Sequence, residues 1–159
     1  MKIAIGGDHF GFPMKGPIIE LLKSAGHEVT DHGAYSQDPV DFPDVAAKVC
    51  TGILDGQAER GILICGTGVG AAIAANKTPG IRAAVCHDTF CAHQCVEHDD
   101  VNLLAMGAWI IGIKLAEEII NAFLQAQFST DPDFRRRVQK LHDLEVRSAE
   151  QLLAKRNAG

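Results

Sequence analysis

At 159 residues, with 47% hydrophobic and 22% charged side chains, the chain carries enough apolar material for one globular core. A net charge of −5, with one basic run at Arg135, Arg136 and Arg137, argues against nonspecific nucleic-acid binding and leaves room for a small local anion site. Its apolar stretches fall short of the roughly 20 residues a bilayer-spanning helix needs, and Met-Lys-Ile-Ala-Ile reads as a strand rather than an export signal, so a cytoplasmic protein without membrane contact is expected.

Lys2 to Ile5 forms a short apolar strand, and Pro13 to Ala25 follows with Ile18, Leu21, Leu22 and Ala25 at helical spacing until Gly26 stops it. The alternation continues with strand His27 to Asp31, helix Phe42 to Leu54, strand Gly61 to Cys65 and helix Gly70 to Lys77. Strand Ile81 to Cys86, helix Asp88 to Glu97 and strand Asn102 to Met106 complete it. Strands separated by helices predict a parallel sheet with right-handed crossovers, and so a Rossmann-like three-layer α-β-α sandwich of five strands.

Beyond Gly112, the residues Leu115, Ile119, Phe123 and Leu124 keep helical spacing, and Pro132 separates that helix from a last one, Phe134 to Lys155. Val138, Leu141, Leu144 and Val146 sit there among many charges. With no sheet left to cover it, this helix is expected to pack on a partner subunit; the alternative is a solvated helix lying on its own domain. The chain as a whole, 1–159, reads as a single domain.

Ligands of a doubly wound sheet bind beyond the carboxyl ends of its strands. Three segments are chemically loaded: Gly6-Gly7-Asp8-His9, Cys65-Gly66-Thr67-Gly68-Val69-Gly70, and His98-Asp99-Asp100 before the fifth strand. The sequence reading places all three at one edge. In the second, alternating glycines free the amides of residues 66 to 70 to point at one spot, an anion cradle at a helix start. The field of a helix start favours thiolate over thiol, so Cys65 beside the cradle has the parts of an enolisation device: a base, and donors for the enediolate it creates.

Rival readings exist for each feature. Cys65 alone could be a buried structural thiol. Gly66 to Ala72 nearly fits a dinucleotide fingerprint with Asp88 downstream, but it follows the third strand and leaves Cys65 idle. His9 and His98 each neighbour an acid at the expected ligand edge, which favours proton transfer or phosphate contact over surface decoration, while His27, His32, His87, His93 and His142 receive no role. Cys86, His87, Cys91, His93, Cys95 and His98 are zinc-type ligands, yet along a helix His87 and His98 stand about 16 Å apart, so no metal is expected. The five cysteines are read as free thiols. Arg137 is either part of a solvated helix face or a phosphate ligand reaching across a dimer interface, since the glycine turns hold no arginine.

Gly7-Asp8-His9, Ile64-Cys65-Gly66-Thr67-Gly68-Val69-Gly70, Ala75-Asn76-Lys77, Ile81-Arg82-Ala83 and His98 together make the chain resemble the type B ribose-5-phosphate isomerases and their galactose-6-phosphate isomerase relatives over nearly its full length. The resemblance implies a cofactor-free, metal-independent aldose–ketose isomerase of a sugar phosphate, working as a homodimer or homotetramer with a composite active site. It implies Cys65 as the base between C1 and C2, Gly66, Thr67, Gly68, Val69 and Gly70 as enediolate donors, His98 as ring-opening acid with Thr67 assisting, Asp8 and His9 as substrate ligands, and Arg137 as a phosphate ligand in the neighbouring subunit's site. Three substrate-contacting positions depart from the ribose enzymes: Asp99 stands for Asn, and Trp109 and Asp133 for Arg, with Arg135 or Arg136 as candidate compensators. These changes imply a substrate other than ribose 5-phosphate, such as a tetrose or a different pentose or hexose phosphate. A non-catalytic sugar-phosphate or nucleotide-binding module is the alternative, and a nicotinamide-dependent oxidoreductase a third reading.

Overall fold

Period-two alternation in the strands sorts their side chains onto two faces, and each face receives its own helices. In the computed structural model, which describes residues 1–157, the strands are β1 (Lys2–Gly7), β2 (Glu28–Asp31), β3 (Arg60–Cys65), β4 (Ala83–Val85) and β5 (Leu103–Gly107). All pairs are parallel, in the order β2-β1-β3-β5-β4. Ile3, Ile5, Ile62, Ile64, Leu104 and Met106 pack under α1 (Phe12–Ser24), α4 (Thr89–Asp99) and α5 (Ile113–Gln125), with Phe123 fully buried among them. Ala4, Leu63, Leu103 and Ala105 face α2 (Phe42–Leu54) and α3 (Val69–Ala75), where small residues such as Ala71, Ala72 and Ala75 bring α3 close to the sheet. The expected five-stranded α-β-α sandwich is what forms.

The chain steps from β1 outward to β2 and then back across to β3, so the carboxyl ends of β1 and β3 flank the topological switch point. Two glycines let the β1–α1 loop settle there. A Cβ on Gly7 would lie 2.7 Å from the Ile64 carbonyl oxygen, and one on Gly11 would lie 1.9 Å from it. Lys15 is buried yet fully engaged: its Nζ donates at 2.6 Å to Asp31 and at 2.6 Å to the carbonyl of Ala34, which offsets the cost of burying an ammonium and ties α1 to the segment after β2.

Several element ends differ from the sequence expectation by one or two residues, and two of these differences have a physical reason. β4 is shorter than 81–86 because Arg82 is drawn off the ladder: its amide donates to the Asn102 side chain at 2.9 Å, and its guanidinium holds the Asp100 carboxylate at 2.6 Å. The final helix, α6 (Pro132–Asn157), begins at Pro132 itself, since a first-turn position needs no N–H and suits the fixed φ of proline. α6 buries none of its residues within the chain, and Leu141, Leu144, Val146, Leu152 and Leu153 are exposed on it. Among the described residues no helix is long and apolar enough to cross a membrane.

Candidate functional site

Cys65 ends β3, only 6% exposed, and the chain then turns sharply into α3. The turn is possible because Gly68 adopts φ +81°, a left-handed conformation that glycine enters without a Cβ penalty. That geometry aims the Gly68 N–H at Cys65 Sγ, 3.0 Å away. Val69 N–H makes a long 3.4 Å bond to Thr67 Oγ1, and the amides of Gly66, Thr67 and Gly70 have no protein acceptor among the described residues. A sulfur that can act as a base thus sits beside several amides with no protein acceptor among the described residues, the arrangement that stabilises negative charge on a reacting oxygen.

Two aromatic rings brace the turn. A Cβ on Gly66 would lie 2.9 Å from the indole of Trp109, and one on Gly70 would lie 3.1 Å from the ring of Phe42. Trp109 also donates its backbone N–H to the Gly66 carbonyl at 3.0 Å, and Phe10 packs against the indole at 4.5 Å between ring centres. Replacing Gly68 by Ala should therefore cost ~1–3 kcal/mol from the positive φ alone. The added methyl would also meet the Met106 backbone at 3.0 Å. Thermal unfolding and a turnover assay should both register the loss.

Asp8 and His9 stand on the other side of Cys65. Asp8 is 7% exposed, and its Oδ1 accepts the amides of Phe10 at 3.0 Å and Gly11 at 2.9 Å, which holds the loop against β3. His9 Nδ1 accepts the Val40 amide at 3.3 Å, so the neutral ring carries its proton on Nε2, available as a donor to a ligand. Asp8, His9, Cys65, Thr67 and Trp109 all lie at the carboxyl edge of the sheet, where the sequence placed the site.

His98 and its neighbours do not. A segment that leads into a strand of a parallel sheet lies at the amino edge, and α4 runs antiparallel to the strands, so the expectation that His98-Asp99-Asp100 shares an edge with Cys65 is corrected. Leu103 pairs with Gly61, whereas Cys65 pairs with Gly107, a separation of about 13 Å along the strands. His98 belongs to the last turn of α4 and stacks on Phe134 of α6, with ring centres 4.0 Å apart and planes 12° apart. The Arg137 guanidinium lies over the same Phe134 ring at 5.4 Å. His98, exposed Asp99 and exposed Arg137 thus form a second group at the opposite edge, organised by Phe134, a residue the sequence reading passed over.

The neighbouring arginines are engaged differently. Arg136 pairs with Asp133 at 2.5 Å, an arrangement that holds the Asp133 carboxyl below its usual range, and Arg135 lies over Phe128 at 4.8 Å. Within the run of zinc-type ligands, a thiol–thiol hydrogen bond with Cys95 and burial push the Cys86 thiol up. Among the described residues no three His, Cys, Asp or Glu side chains gather to hold a metal ion.

Residues 3–141 match the family model described as Ribose/Galactose Isomerase. The ribose-5-phosphate isomerase B of Escherichia coli (strain K12) is 46% identical over 127 residues, covering 80% of this chain and 85% of its own. The D-erythrulose-4-phosphate isomerase of Pectobacterium atrosepticum is 46% identical over 132 residues, again covering 80% of this chain and 85% of its own. Among solved structures, ribose-5-phosphate isomerase B of Clostridium thermocellum superimposes with a TM-score of 0.91 at 44% identity, over 93% of this chain and 99% of that one.

Proposed function

The chain belongs to the ribose/galactose isomerase family, and we propose that it interconverts an aldose phosphate and its ketose phosphate by proton transfer at Cys65. The observation that carries this reading is the Gly68 N–H donating to Cys65 Sγ beside amides with no protein acceptor among the described residues. The thiolate removes the proton on C2 of the open-chain aldose, and the C2–H electron pair moves into the C1–C2 bond as the carbonyl electrons move onto the C1 oxygen. The amides of Gly66, Thr67 and Gly70 stabilise that oxyanion. The C2 hydroxyl proton passes to the C1 oxygen, and Sγ returns its own proton to C1 as the C2 oxygen becomes the carbonyl. Trp109, Asp8 and His9 bound the sugar, with His9 Nε2–H as a donor.

His98, Thr67 and Arg137 complete the reading if the working unit is a homodimer or homotetramer. Thr67 is exposed on the turn, within reach of a bound sugar, while His98 and Arg137 lie at the sheet edge opposite their own Cys65. A second copy supplies them: its His98 protonates the ring oxygen during opening and its Arg137 binds the phosphate. The unburied apolar residues of α6 support the same assembly, because packing on a partner would cover them. Arg136 is held by Asp133, whereas Arg137 has no acidic partner among the described residues.

The indole of Trp109 places an apolar surface, not a cation, on the turn that faces the substrate. A panel of four- to six-carbon aldose and ketose phosphates tests the activity and its range. One of them other than ribose 5-phosphate should be converted with kcat/KM higher by about ten-fold or more, the scale a few changed pocket contacts produce. Equal or better turnover of ribose 5-phosphate would remove the altered specificity, and conversion of none would remove the isomerase reading.

A further inference from the structure

β5 runs on past the last residue of β4: Val85 pairs with Ala105, and the Cys86 amide still donates to the Ala105 carbonyl at 3.2 Å. Gly107 is buried, and its N–H turns to the β4 side where the ladder has ended. A buried strand amide needs an acceptor. His87 supplies it, its Nε2 accepting from the Gly107 N–H at 3.0 Å. To accept there Nε2 must be unprotonated, so neutral His87 carries its proton on Nδ1.

Gly107 is the register partner of Cys65 and the floor of the catalytic turn. A Cβ on Gly107 would lie 2.7 Å from both the carbonyl carbon and Cα of Thr67, and a Cβ on Gly68 would lie 3.0 Å from the Met106 carbonyl carbon. The turn therefore rests on the last residues of β5 backbone to backbone, with no side chain between to absorb a shift. The Gly68 amide resting there is the one that donates to Cys65 Sγ.

We propose that His87 is a positioning residue for this site: by fixing the Gly107 amide it sets the height of the Thr67–Gly68 turn, and with it the aim of the donors at Cys65 and at the developing enediolate. The inference rests on the isomerase reading and adds a residue that touches neither substrate nor sulfur. Small displacements of a reacting group are amplified in rate, so the effect belongs in kcat, with little change in KM.

The test compares wild type, His87→Gln and His87→Leu on the sugar phosphate that wild type converts best. The Gln side-chain oxygen can replace Nε2 as acceptor, whereas Leu fills similar volume without one. The expected result is kcat retained within about three-fold by His87→Gln and reduced about ten- to hundred-fold by His87→Leu, with KM moved less than about three-fold in either. Imidazole nitrogen NMR of wild type should show the Nδ1–H tautomer at His87. An Nε2–H tautomer, an unimpaired His87→Leu, a loss confined to KM, or a His87→Gln enzyme as poor as His87→Leu would each overturn the inference. If His87→Leu does not fold, the tautomer and the His87→Gln rate decide. A wild type that converts no sugar phosphate refutes the isomerase reading instead, and the tautomer still reports on the His87–Gly107 bond.

Discussion

Replacing Cys65 by Ala should lower kcat by about 10²–10⁴-fold, the contribution typical of a positioned proton-transfer group. KM should change little, because among the amides of the turn only that of Gly68 bonds to the sulfur. The Cys65 side chain is small and buried at a strand end, so the substitution leaves a modest cavity and a folded protein. Its neighbour Gly68 loses the acceptor of one N–H. Stopped turnover with intact folding and retained ligand binding is the expected pattern. A Cys65→Ala protein that isomerises at the wild-type rate places the base elsewhere.

The second large effect concerns assembly. His98→Ala and Cys65→Ala proteins should each be nearly inactive alone, yet co-expressed in equal amounts they should recover activity. In a mixed dimer one of the two sites combines the Cys65 edge of one chain with the His98 edge of the other, and both of its groups are intact. Random pairing makes half the dimers mixed, so about a quarter of the wild-type activity should return. This follows from the placement of His98 on Phe134, at the sheet edge opposite Cys65, which a site made within one chain cannot use. No recovery in verified mixed dimers would mean that each chain works with its own residues, and His98 would lose its assigned role.

Much of this was legible in the sequence because it depends on short-range pattern. The alternation of apolar strands with helical spacing set the five parallel strands, and the glycine run after Cys65 announced a backbone-lined turn. Asp8 and His9 follow a strand directly, so their edge was readable as well. The expectation for His98 fails because it counts the turn that leads into β5 with the turns that leave β1 and β3. A residue before a strand and a residue after one end up on opposite sides of a parallel sheet, and α4 reverses the chain between β4 and β5. Phe134 and Phe42 enter the sequence reading only as helix starts and Phe10 not at all, since each acts through a ring packed on a residue far away in sequence: His98, Gly70 and Trp109. His87 carried no signal of its own, because its importance comes from where β4 stops: the ladder ends at Val85 while β5 runs on to Gly107.

The central claim is proton transfer through an enediolate at Cys65, and solvent hydrogen exchange tests it most directly. Wild type and Cys65→Ala should each be incubated in deuterated water with the sugar phosphate that wild type converts, and the products followed by NMR. Deuterium entering C1 or C2 with wild type, and absent with Cys65→Ala, is the predicted result. Isomerisation that proceeds over many turnovers with no deuterium at either carbon, or exchange undiminished in Cys65→Ala, would contradict it.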